Sequence, residues 1–229
     1  MRTWKSLSLL AIALLAAPLS RAAGPVWLEK ALDRFAQTIP PDCAYTVDLT
    51  RNGETTSERF DPSQPPATRW TLLSRNGRPP TAEDLELYRR QRQGVFDPAF
   101  NATIETRQLD RGSVRIVRGD EAQAAITIGF TPAASDADKM LRHLDLSMVV
   151  RKEPAAVTAY TLKLREPYSP VLFVKMHEMS AGAEFDAEGR PVRTHSLFRG
   201  RIFFKSVTEQ VEARFHDYTR TTPWSPGQP

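Results

Sequence analysis

The chain is poor in the residues that most catalytic and metal sites need. It has one cysteine in 229 residues, so no internal disulfide can form and a disulfide-stapled scaffold is excluded. Cys43, beside Ala44 and Tyr45, reads as a small apolar residue at a strand start. The four histidines, His143, His177, His195 and His216, are scattered singly along the sequence. His177-Glu178 opens a zinc-protease-like string, but Ala181 stands where the second histidine is required, and the segment alternates as a strand. G-x-S-x-G is missing, as is any glycine loop able to cradle phosphate, and S-x-x-K does not occur beyond the N-terminal segment. Asp136-Ala137-Asp138 lacks the later oxygens and the glycine of a calcium loop. No catalytic residue, cofactor or metal ligand is assigned on these grounds, and the chain is expected not to be an enzyme.

Long hydrophobic runs are also scarce. Leu7–Ala17 is apolar but, at about eleven residues, too short to span a bilayer as a helix. Arg2 and Lys5 precede it, Pro18 breaks it, and Ser20-Arg21-Ala22 offers small residues at the −3 and −1 positions of a cleavage site. Residues 1–22 are therefore expected to be a signal peptide cut after Ala22, or else after Ala23. The mature chain is expected in the periplasm without a transmembrane anchor. Removing Arg2, Lys5 and Arg21 leaves 28 basic against 27 acidic residues, so the sequence pI of 9.4 is poor support for a nucleic-acid partner.

What the chain does have is alternation. Pro25–Ile39 reads as one amphipathic helix, with Leu28, Leu32, Phe35 and Ile39 on its apolar face and Pro40-Pro41 ending it. Tyr45, Val47 and Leu49 alternate with polar residues before the hairpin dipeptide Asn52-Gly53, and the return runs from Glu54 to about Phe60. The stretch RWTLLSRNGRPPT, Arg69 to Thr81, parses as a strand with Trp70 and Leu72 on one face. The Asn76-Gly77 turn, the extended Pro79-Pro80 and a helix capped by Thr81 follow. After Gly94, strands are expected over 103–109, 112–118, 123–131, 143–151, 156–166, 171–185, 192–207 and 210–218, with one short helix near 135–141. Phe198, Gly200, Ile202 and Phe204 read as one strand face. Residues 221–229 are expected to be a disordered tail.

Nine to eleven antiparallel strands with about three helices imply one large sheet that must curl to bury its apolar side. The expected fold is mainly β (α+β): a single domain over 23–220, an unclosed half-barrel with the helices on its concave face. A closed up-and-down barrel is the alternative. Large apolar residues on inferred strand faces outnumber what so few helices can cover. Ordinary core explains any one of them, but the set suggests a partly open concavity. Its expected lining is Trp70, Ile128, Phe130, Leu162, Leu164, Ile202 and Phe204.

The order of elements resembles the LolA/LolB-like superfamily of envelope proteins, which includes lipoprotein carriers and the N-terminal domain of the sigma-factor regulator RseB. RWTLLSRNGRPPT, REPYSPVLFVKM and RGRIFFKSVTEQVEARFHDY are similar to strings in uncharacterised proteobacterial envelope proteins of the same group. The resemblance implies an unclosed barrel whose concave face holds a lipid, an acyl chain or a lipoprotein's modified end. A peptide or membrane-protein partner at the edge or rim belongs to the interaction-domain expectation. The competing expectations are an envelope interaction or signalling domain with a filled core and, least supported, an envelope hydrolase.

Overall fold

The alternation of apolar and polar residues becomes a ten-stranded antiparallel sheet. The computed structural model describes residues 24–35, 42–92 and 104–225. The strands are β1 (Cys43–Arg51), β2 (Glu54–Phe60), β3 (Trp70–Arg75), β4 (Leu109–Gly119), β5 (Gln123–Phe130), β6 (Leu144–Arg151), β7 (Ala156–Leu164), β8 (Val174–Phe185), β9 (Pro191–Ile202) and β10 (Lys205–Arg220). Their spatial order is β3-β2-β1-β10-β9-β8-β7-β6-β5-β4. Consecutive strands pair everywhere except between β3 and β4, which become the two free edges, and the last strand closes against the first. The sheet is an unclosed half-barrel, as expected.

Side chains directly opposite in an antiparallel pair share a face, so continuous rungs can be followed across the sheet. One inner-face rung runs Ile126, Met148, Tyr160, Ala183, Thr194, Ala213, Leu49. The next runs Ile128, Leu146, Leu162, Ala181, Ser196, Val211. On the outer face the residues are mainly polar or charged, and cross-strand ion pairs such as Arg199–Glu178 at 2.9 Å lie there.

Helix α1 (Val26–Arg34) covers one end of the inner face. Leu28, Ala31 and Leu32 fall at i, i+3 and i+4 and are buried against β5, β6 and β7. Nine residues make a helix too short to be stable alone, so this packing is what holds it. Phe35 follows it and sets its ring edge-on to Tyr160 and Phe185, at 6.0 and 5.7 Å. From β4, Arg111 clamps the helix's exposed side through Glu29 and Asp33, each at 2.6 Å. The helix thus ends earlier than the Pro25–Ile39 reading: Arg34 is its last residue, and 36–41 lie outside the described residues.

Helix α2 (Ala82–Arg92) starts as expected at Thr81, whose hydroxyl accepts from Asp84 N while Asp84 Oδ2 accepts from Thr81 N at 2.9 Å. The Tyr88 hydroxyl donates to Glu58 Oε2 at 2.9 Å and ties α2 to the β2–β3 edge. Helix α3 (Pro132–Ala137), capped by Thr131, and a 3₁₀ turn over Lys139–His143 join β5 to β6, close to the short helix expected there.

The largest departures from the sequence reading are at three boundaries. The strand expected over 103–109 is a 3₁₀ turn at Thr106–Gln108, and β4 starts at Leu109. Residues 171–173 are loop, and β8 starts at Val174. The strand expected over 192–207 stops at Ile202: Phe203 and Phe204 form the hairpin turn into β10, so Phe204 leaves the face of Phe198, Gly200 and Ile202. No glycine or asparagine marks that turn, which is why sequence reading runs through it. In the tail, Thr221 N donates to Asp42 O and Trp224 N to Pro62 O, both at 2.8 Å. The expected signal peptide and residues 226–229 lie outside the described residues.

His195 stands opposite Gly182 on the outer face. A methyl at Gly182 would lie 2.6 Å from His195 Cε1 and 2.6 Å from the Tyr160 carbonyl oxygen. The imidazole can swing away, but the carbonyl belongs to the sheet. Gly182→Ala is therefore expected to cost about 1–3 kcal/mol in urea unfolding, as overpacking typically does.

Candidate functional site

Two apolar clusters lie on the inner face and are separated by a strip of smaller residues. The larger lies under α1 and includes Ile126, Ile128, Leu144, Leu146, Met148, Val150, Tyr160 and Leu162, all buried. The smaller is aromatic and lies on β1, β2, β3 and β10. Tyr45 is its hub, with ring centroids 5.2 Å from Phe60, 5.8 Å from Trp70, 5.8 Å from Phe215 and 5.7 Å from Tyr218. Tyr218 donates to Pro191 O at 2.6 Å, and Arg190 sits over its ring at 4.7 Å.

Between the clusters, β8, β9 and β10 present Met179, Ala181, Thr194, Ser196, Phe198 and Val211 inward, all half-buried. Along the rung from Leu162 the side chains shrink to Ala181 and Ser196 and then widen to Val211. The sheet is therefore shallowest in side-chain height at its centre. At Gly200 the missing Cβ leaves room for the Phe198 ring: a Cβ there would lie 2.8 Å from Phe198 Cζ and 2.4 Å from Lys175 O. The strip forms a floor of aliphatic and aromatic carbon with two hydroxyls, Thr194 and Ser196, bordered on the same face by the exposed Arg51–Glu209 ion pair at 3.6 Å. Such a strip offers an incoming apolar group carbon surface with few polar side chains at its centre.

The seven residues expected to line one concavity fall in three places. Ile128 and Leu162 are buried beneath α1, with Phe130 and Leu164 partly buried against the same cluster. Trp70 belongs to the aromatic cluster. Ile202 and Phe204 are exposed at the β9–β10 tip. Bulk in the sequence does not mark these floor residues. The available signal was small residues in the inward phase, Ala181 with Ala183 and Thr194 with Ser196, on strands otherwise carrying large ones.

Sequence reading also missed Glu58. It points inward opposite Val47 and Leu72, is buried, and accepts from Tyr88 Oη and from Thr56 Oγ1 at 3.1 Å. Its visible work is to anchor α2. His143 stacks on Tyr168 with centroids 4.0 Å apart, and His216 lies on the outer face between Asp48 (3.2 Å) and Asp217 (2.8 Å). A depression of about 350 Å³ at the β4–β5 hairpin is lined by Arg118, Asp120, Gln123 and Val149 on the opposite face from the floor. Its Asp120 carboxylate accepts from Ala122 N and Gln123 N, which hold it below its usual range. That group serves the turn.

The chain matches no family model, no curated protein and no solved structure. The floor must be read from its own chemistry.

Burial gives the large cluster a pH signature. It pushes the Tyr160 hydroxyl up to about 12, against about 10 in an unfolded chain. Below about pH 10 the group is protonated in both states and its contribution is complete. Between the two values only the unfolded chain ionises, so stability falls by roughly 2–3 kcal/mol as pH rises through that window. Tyr160→Phe is expected to reduce this alkaline loss, measured by urea midpoints at rising pH. Tyr218, whose hydroxyl burial also raises, adds to the loss in the same direction.

Proposed function

We propose that this is a non-enzymatic binding or carrier protein of the cell envelope, of the LolA/LolB-like kind. In this reading the floor of β8, β9 and β10 takes an acyl chain, from a free lipid or from a lipidated partner. One observation carries the proposal: a half-buried strip of Ala181, Thr194, Ser196 and Val211 between two filled clusters of one open sheet. A chain laid there gains about 25 cal/mol for each Å² of apolar surface removed from water. The export reading rests on Leu7–Ala17 and the Ser-x-Ala ending of the N-terminal segment.

A second reading, an interaction domain with a filled core, is favoured by Leu28, Ala31 and Leu32 sealing the β5–β7 half. Lipid content separates the two. Protein purified from cells and extracted for mass spectrometry should release acyl lipid at a reproducible stoichiometry. Protein that is always empty and also ignores fluorescent fatty acids would overturn the carrier reading, and crosslinking in cells would then be the route to a protein partner.

A further inference from the structure

Two neighbouring turns project apolar side chains into water at one end of the sheet. The loop before β8 carries Val171, Leu172 and Phe173, and the β9–β10 turn carries Ile202, Phe203 and Phe204. Leu172 is 79% exposed, Phe203 63% and Phe204 87%. Single exposed apolar residues are common, but a contiguous cluster marks a contact surface. The two turns are fastened together: Phe203 N donates to Phe173 O at 2.7 Å, and the two rings stack with centroids 5.4 Å apart.

Both phenylalanines sit in left-handed backbone, Phe173 at φ 71° and Phe203 at φ 54°. Bulky residues rarely adopt that region, and glycine or asparagine would make either turn with less strain. The chain uses Asn-Gly at two of its other turns, with Asn52 and Asn76 at positive φ. Aromatic residues are therefore held at these tips despite the local backbone preference. A strained position kept this way is a reason to look for a partner.

Charge identifies the partner. Lys175 and Arg201 face each other on the outer side of the knob, and Lys205 pairs with Ile202 on its inner side. All three are exposed, and none is in an ion pair among the described residues. We infer that the knob of residues 171–173 and 202–204 docks on the surface of an anionic phospholipid bilayer. Its aromatic and aliphatic side chains enter the headgroup–acyl boundary, and Lys175, Arg201 and Lys205 meet the lipid phosphates. A protruding apolar tip with a basic collar is the shape an interface accepts, and the hairpin's internal hydrogen bonds leave little bare backbone to bury. The inner face leads to it: Phe198, then Gly200 beside Met176 and Val207, then Ile202. Docking does not depend on what the floor holds, so this inference and the carrier reading can fail separately.

The test is site-resolved because the N-terminal apolar segment could itself touch lipid. An environment-sensitive fluorophore is placed on the full chain at Phe204→Cys and, in a second protein, at Ala187→Cys, which is exposed in the β8–β9 hairpin. Cys43 is buried and so is protected from labelling. With phosphatidylglycerol-containing vesicles the probe at 204 should brighten, shift to the blue and be quenched by lipid-borne quenchers, while the probe at 187 stays aqueous. Replacing Lys175, Arg201 and Lys205 by glutamine should weaken the 204 signal about fivefold per residue, from the usual attraction of a basic side chain to an anionic surface. Phosphatidylcholine vesicles should give much the weaker response. A 204 probe that stays aqueous on anionic vesicles, or that changes no more than the 187 probe, overturns the inference. In that case the knob is left to a protein groove.

Discussion

Met148→Ala is expected to cost about 2–5 kcal/mol, the range seen when large core side chains are cut to alanine. Met148 is 1% exposed and sits at the centre of the large cluster, with Ile126 opposite on one neighbouring strand and Tyr160 on the other. The cavity would be walled on both sides by strands locked into a long hydrogen-bonded ladder, so little relaxation can close it. Urea unfolding measures the loss. Leu73→Ala, on Leu73 of edge strand β3, which is 45% exposed, should change stability by no more than about 0.5 kcal/mol. Equal losses at the two sites would mean that the large cluster is not where stability resides. The contrast matters for the site because α1 closes this half of the inner face. If the half is as tightly filled as Met148 implies, a ligand must lie elsewhere.

Ser196→Trp has the largest expected functional effect. Ser196 is half-buried at mid-floor between Ala181 and Val211, so an indole there should occupy the space proposed for the acyl chain. Retained lipid and fluorescent fatty-acid binding should both fall to background. The thermal midpoint should move far less than for Met148→Ala, because no buried neighbour is displaced. Undiminished binding in a folded Ser196→Trp protein would remove the floor from the account. The matching control is Phe204→Ser, which should leave fatty-acid binding intact while weakening vesicle docking.

Much of the fold could be read from local chemistry. Asn52-Gly53 and Asn76-Gly77 were legible because left-handed backbone selects those residues, and both turns stand where expected with Asn and Gly at positive φ. The faces of β5, β6 and β7 were legible because Ile126, Ile128, Leu146, Met148 and Leu162 alternate with polar neighbours. The Phe203-Phe204 turn was not legible, since its residues argue for strand and only the closing of the ladder with β10 reveals it. Nor was the pairing of β1 with β10, which joins the two ends of the chain across more than a hundred residues and leaves no local mark.

The candidate site was half legible for a related reason. Alternation shows which side of a strand is dry, but not which dry positions another element already covers. Ile128 and Leu162 looked like lining and lie under α1. Ala181 and Ser196 looked like filler, and become a floor only when the register sets them side by side. Glu58 escaped notice because an acid in a short polar strand gives no sign that it faces inward until Tyr88 is seen to donate to it.

The most direct measurement is a photoreactive fatty acid bound to the full-length protein, irradiated, and mapped by peptide mass spectrometry. Adducts are expected on inward residues of 174–185, 191–202 and 205–220, centred on Ala181, Ser196 and Val211 and lost in Ser196→Trp. Adducts confined to the 171–173 and 202–204 tips, or spread evenly over the outer face, would contradict an acyl-binding floor.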